Sequence, residues 1–233
     1  MLKLLSSLKN NGKSPGPDGL RKEDLTIDSA MAAKCLTYIY NTSYNTSVVP
    51  AKWKLAHVAP LHNRGAMNEA NNYRPISLTS IPCKLMEHIV LHYLNEKLER
   101  VLPNWQHGFR QGLSCETQLC STFHDITRSA DRGDTIHAAV LDFAKAFDKV
   151  PHQLLMNKLT SIPDLCGSIL MWIHNFWCDR KQRVVVNGCK FGELSVTSEV
   201  SQGSVLGPKL SLIYTMIFLS RLTAASAYSL MIL

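Results

Sequence analysis

LDFAKAFDKVPH, residues 141–152, decides how the rest of this 233-residue chain is read. The apolar run IHAAVL over 136–141 has the character of a buried strand and drives straight into Asp142. A carboxylate at the end of such a strand is costly to desolvate unless it is paired or holds a cation. Asp142 therefore reads in two ways: as a ligand for a divalent ion at the mouth of a sheet, or as the cap of a strand-end turn or helix.

Outward from that stretch the pattern alternates irregularly between helix and strand. SPGPDG at 14–19 is a loop, and a helix over 29–44 stops before an Asn/Thr/Ser cluster and Pro50. Two short β-branched or apolar runs, 54–61 and 73–78, predict a hairpin around the polar loop HNRGAMNEAN. Over 84–101 the apolar residues Met86, Ile89, Val90, Tyr93, Leu94 and Leu98 recur at three- and four-residue steps, the mark of an amphipathic helix. Further helices are expected over 116–130, 152–161 and 166–178, strands over 182–187 and 194–200, and a helix opened by Pro208. The fold class implied is α+β.

Composition is compatible with a buried core, at 45% hydrophobic residues, and with anionic partners, at a formal charge of +7 and a pI near 9.1. The seven cysteines form no CxxC pair, and their odd number argues against a closed disulfide framework, so they are expected reduced. Cys115, Cys120 and His124 fall on one expected helix and read as packing and surface residues rather than metal ligands. The N-terminus lacks an apolar core of signal length, which predicts an intracellular protein, nuclear or cytoplasmic.

Six blocks stand in register: SPGPDGL at 14–20, WKLAHVAPLHNRG at 53–65, NNYRPISLTS at 71–80, HGFRQGLSCETQL at 107–119, LDFAKAFD at 141–148 and VSQGSVLGP at 200–208. In this order and spacing the chain resembles the reverse transcriptase domain of non-LTR (LINE-type) retrotransposons, from about residue 10 to Tyr214. The resemblance implies a right-hand polymerase fold, with fingers and an N-terminal extension over 1–135 and a partial palm over 136–214. It also implies an RNA-directed DNA polymerase whose partners are an RNA template, a DNA primer and dNTPs, with Mg2+ as cofactor and no membrane.

Site roles come from the same resemblance. Asp142 is implied as the first catalytic carboxylate and metal ligand, since nucleotidyl transfer needs several carboxylates converging on two ions. Arg74 in NYRPIS is implied as the triphosphate contact, a task suited to a planar, permanently charged fork. Phe147 is implied as the steric gate beneath the sugar C2′, although an ordinary core aromatic fits the local sequence equally well. Gln202 and Gly203 are implied as the segment under the template base and nucleotide, where glycine permits close backbone approach. Asp148 reads as a turn or helix-start residue, not a metal ligand.

Several positions depart from the family pattern. Asn63 stands where a lysine is usual, with Arg64 as a stand-in; Glu199 and Ser201 replace Gly and Pro; Lys209 and Ser211 replace apolar residues. After LIY at 212–214 the expected Asn-Asp-Leu-Pro and Phe/Tyr-Ala-Asp-Asp motifs are missing, and residues 215–233 contain no acidic residue. Read from the third base of each codon, a Met-Ile pair must encode an aspartate, and Met-Ile occurs at 216–217 and 231–232. A one-base loss near codon 215 would therefore make 215–233 an out-of-frame tail with no selected fold. The segment 210–233 is long and mostly apolar, but Arg221 near its centre costs about 2.5–3.5 kcal/mol on insertion scales and argues against a membrane span. The expectation is a polymerase-domain fragment that is inactive as it stands; the alternatives are a non-catalytic nucleic-acid-binding remnant and an unfolded product.

Overall fold

In the computed structural model, the residues described are 1–8, 14–138, 140, 146–147, 149–165, 167–198 and 200–224, with side chains of the last helix described as far as 216. The architecture is a mixture of helices and one small sheet. The helices are α1 (Leu2–Ser7), α2 (Lys22–Ile27), α3 (Ser29–Thr46), α4 (Ile81–Leu98), α5 (Cys115–Asp131), α6 (His152–Thr160), α7 (Ser168–Trp177) and α8 (Gly207–Ala224). The strands are β1 (Leu55–His62), β2 (Tyr73–Leu78), β3 (Lys181–Val186), β4 (Cys189–Lys190) and β5 (Leu194–Ser195), in the order β2-β1-β3-β4 with β5 also pairing β3.

The expected hairpin is present: β1 and β2 pair antiparallel from His57↔Leu78 to His62↔Tyr73. Its loop is braced from within, by the Asn63 N–H donating to the Asn72 carbonyl (2.9 Å) and by the Tyr73 hydroxyl donating to the Met67 carbonyl (2.8 Å). β1 also pairs parallel with β3, Leu55↔Lys181 through Val58↔Val184, so chain segments more than a hundred residues apart share one sheet.

A continuous core is contributed by α3, α4, α6, α7 and α8, with Leu36, Val90, Leu94, Leu159, Trp172, Phe176 and Leu210 among its buried members. Two of its polar groups are matched across the core: the Tyr40 hydroxyl donates to the Pro82 carbonyl (2.7 Å), and Trp172 Nε1 donates to Ser43 Oγ (2.9 Å). Matching of this kind removes the penalty of burying an amide, hydroxyl or indole N–H.

Three sequence expectations change. The helix expected over 84–101 begins at Ile81, because Pro82 occupies its first turn, where a missing N–H costs nothing, and Ser80 caps it by accepting from Cys83 N–H. The strand expected over 194–200 contracts to Leu194–Ser195, followed by a single bridge, Pro151↔Ser198. The buried strand expected over 136–141 is absent where it is described: 136–138 and 140 are irregular, with Ile136 41% and Val140 66% exposed. An apolar β-branched run becomes a strand only when neighbours complete its ladder and cover its faces, and no described strand pairs with these residues. The helix opened at Pro208 runs on through residues 215–224 as part of α8.

Candidate functional site

Three of the sequence blocks are tied together by backbone hydrogen bonds. Val200 N–H donates to the Phe147 carbonyl (2.7 Å), and Ser77 N–H donates to the Gln202 carbonyl (2.7 Å). With the Pro151↔Ser198 bridge, these contacts splice the segment after Asp142 to the SQGS loop, and that loop to β2. Phe147, Gln202, Gly203 and the strand bearing Arg74 are thereby brought to one place. Asp142 lies outside the described residues, as does Asp148.

Gly203 is required by its surroundings. Its φ is +114°, and a Cβ there would stand 2.6 Å from the Ser77 carbonyl oxygen. No side chain can enter that gap without displacing a sheet strand. Gly16 in the SPGPDG loop is held in a similar way, since a Cβ on it would meet the backbone of Thr79 and Ser80 at 2.6 Å.

Arg74 is exposed on β2, opposite Leu61. Paired residues point to the same side of a sheet, so alternation sets Arg74 on the face that also carries His57 and, across the β1/β3 pairing, Arg183. The face is electropositive. Partial burial, together with the neighbouring Arg183 and Lys190 charges, holds the His57 imidazole below its ordinary pKa. Glu193 offsets part of the charge by pairing with Arg183 (2.5 Å) and Lys181 (3.7 Å).

Beneath the SQGS loop lies a residue that the sequence reading did not single out. Glu87 of α4 is fully buried, and its Oε2 accepts from Val205 N–H (2.7 Å) and Leu206 N–H (3.1 Å) at the start of α8. A carboxylate at a helix N-terminus satisfies amides that have no intrahelical partner. Burial pushes the Glu87 carboxyl above its ordinary pKa, opposed by the two amides and by the Arg180 and Lys84 charges. The signal was present in the sequence: Cys83, Glu87, Val90 and Leu94 share one helical stripe, and Glu87 is the only charged residue on it.

A second polar cluster supports the HGFRQG block. Arg110 donates to the Glu99 carboxylate (2.7 and 3.0 Å) and to the carbonyls of Pro103 (2.9 Å) and Gln106 (3.2 Å). Lys209, buried at the root of α8, lies 3.5 Å from Glu99 and donates to the Phe109 carbonyl (3.2 Å). Partial desolvation raises the Glu99 carboxyl, but Arg110 and Lys209 outweigh it and hold the group below the ordinary value. Burial pulls the Lys209 ammonium down in spite of Glu99. The Phe109 ring then meets Phe147 edge-on, with centroids 6.4 Å apart.

Among the described residues no three His, Cys, Asp or Glu side chains are grouped to hold a metal, and residues 200–233 include no Asp or Glu to join Asp142. Among the described residues no helix is long and apolar enough to cross a membrane.

The family model described as reverse transcriptase (RNA-dependent DNA polymerase) matches residues 62–231. A probable RNA-directed DNA polymerase from transposon BS of Drosophila melanogaster is 33% identical over 207 residues, covering 87% of this chain and 22% of the relative. The RNA-directed DNA polymerase from mobile element jockey of Drosophila funebris is 29% identical over 215 residues, 91% of this chain and 23% of the relative. A probable RNA-directed DNA polymerase from transposon X-element of Drosophila melanogaster is 28% identical over 210 residues, 89% of this chain and 23% of the relative. The chain thus spans between a fifth and a quarter of the length of these relatives.

Proposed function

This chain belongs to the reverse transcriptase (RNA-dependent DNA polymerase) family, and we propose that it is the fingers and partial palm of a non-LTR retrotransposon polymerase. In that assignment 1–135 are fingers with an N-terminal extension, 136–214 a partial palm, and 215–233 a tail read out of frame. Its substrates are an RNA template, a DNA primer end and dNTPs. The observation that supports this best is the pair of backbone hydrogen bonds, Val200 to Phe147 and Ser77 to Gln202, because it gathers a sugar-checking ring, a template-side loop and an arginine-bearing strand.

Each residue has a task in that reading. Arg74 presents its guanidinium on an electropositive sheet face, where a triphosphate is attracted and can be held by two parallel N–H···O bonds. Phe147 sets a flat ring where a 2′-hydroxyl would collide. Gly203 keeps the backbone thin enough for β2 and the SQGS loop to meet, and Gln202 presents an amide with both donor and acceptor capacity. Asp142 is the carboxylate through which Mg2+ would enter the chemistry. With that single motif carboxylate the chain binds template and nucleotide but extends a primer poorly, since loosely held reactants forfeit the rate gained from positioning.

The test is primer extension on an RNA template with Mg2+, comparing the chain with a version whose residues 215–233 are re-encoded in the other frame. Extension by the re-encoded form alone is the expected result. Robust extension by the chain as it stands would overturn the account of its metal ligands, and extension by neither would overturn the frameshift reading.

A further inference from the structure

We propose that Phe109 is a stacking platform for an unpaired template base, held in the solvent beside Phe147 by the Glu99–Arg110–Lys209 cluster. The proposal rests on the reading that this chain binds a single-stranded template.

Phe109 has φ +57°, the left-handed region that residues with a Cβ enter only at a cost. Strain of this kind normally lets an apolar side chain reach the core. Here it does the reverse: the residue is 60% exposed, and the ring touches Phe147 by its edge. The backbone is meanwhile fixed on both sides, by Lys209 Nζ donating to the Phe109 carbonyl and by Arg110 donating to Glu99, Pro103 and Gln106. Lys209 is itself buried, so a desolvated ammonium is used to anchor the carbonyl of a solvent-facing phenylalanine.

A flat ring held out in water suits a ligand that offers a π-face, on a chain whose net charge of +7 favours an anionic partner. Single-stranded nucleic acid is such a ligand, and stacking of a base on an aromatic side chain tolerates any sequence. Contact with Phe147 gives the platform a location, adjoining the position assigned to the incoming sugar, where a template base must be unpaired before it is copied. A ring serving only as packing would be buried, and a ring of no consequence would not be fixed in a strained backbone.

Phe109→Gly separates the two roles, because glycine adopts the same φ without strain and deletes only the ring. The full 233-residue chain and the variant are titrated with an oligoadenylate RNA, the matching DNA and an abasic phosphodiester of equal length, at several salt concentrations. The expected result is an unchanged or higher melting temperature, with RNA affinity weaker by roughly 5- to 150-fold, an unaltered slope against log salt, and unchanged binding of the abasic strand. Phe109→Tyr should retain the wild-type affinity. A ligand specific to RNA shows loss on the RNA alone; loss on both strands marks a general unpaired base. Equal RNA binding by Phe109→Gly and wild type overturns the stacking role but leaves template binding intact, as does a drop in melting temperature that accounts for the weaker binding. Absence of RNA binding by the wild-type chain overturns both.

Discussion

The Ser77 N–H donates to the Gln202 carbonyl over 2.7 Å, and one residue further on a Cβ at Gly203 would stand 2.6 Å from the Ser77 oxygen. Strand β2 and the SQGS loop thus meet through backbone alone, at a separation that leaves no room for a side chain. Since β2 also bears Arg74, any movement of this contact moves the proposed triphosphate contact relative to the loop beneath it.

Gly203→Ala tests the contact directly. A φ of +114° together with the collision predicts a loss of about 1–3 kcal/mol in urea unfolding, accompanied by weaker dNTP binding. Wild-type stability in the variant would show that the loop yields without cost.

Arg74→Ala should weaken dNTP binding by about 1.5–3 kcal/mol, the range for hydrogen bonds to charged groups, and Arg74→Lys should recover only part of it because an ammonium lacks the planar fork. Because Arg74 is exposed, the melting temperature should stay at the wild-type value. Equal dNTP affinity in all three forms, measured by equilibrium titration, would remove Arg74 from the site.

Phe147→Ala, in the form with its tail re-encoded, should admit ribonucleotides, lowering the preference for dNTPs over rNTPs by roughly 10- to 200-fold. Competing incorporation of matched dNTP and rNTP reads this ratio. An unchanged ratio would leave Phe147 as the core aromatic its partial burial also allows.

Glu87 within α4 and Glu99 at its C-terminal cap give stability opposite dependences on pH. Burial raises the Glu87 pKa on folding, so its contribution is full below the ordinary value of 4.5 and is lost as pH rises through the higher folded value. Arg110 and Lys209 lower that of Glu99 against its own desolvation, so its contribution is present above 4.5 and is lost as pH falls through the lower folded value. Glu87→Gln should flatten the decline on the alkaline side and Glu99→Gln the decline on the acid side, each read from urea unfolding across pH. Glu87→Leu, which leaves the Val205 and Leu206 amides bare, should cost about 1–3 kcal/mol for each.

The sequence alone determined the elements whose pattern is local: the α4 stripe, the β1/β2 runs on either side of a polar loop, and the motif blocks that place this chain among reverse transcriptases. Periodicity and turn residues act within a few positions, so they are legible without knowing what lies across the core. The tertiary structure decided what depends on distant partners. Glu87 clamps Leu206 across 119 positions, and Lys209 holds Phe109 across 100; the sequence marks each charge as out of place on its helix but does not name the partner it reaches. The same reason explains why the run after Thr135, strand-like in composition, is irregular where it is described: composition makes a strand possible, but only a neighbouring strand supplies the hydrogen bonds that make it one.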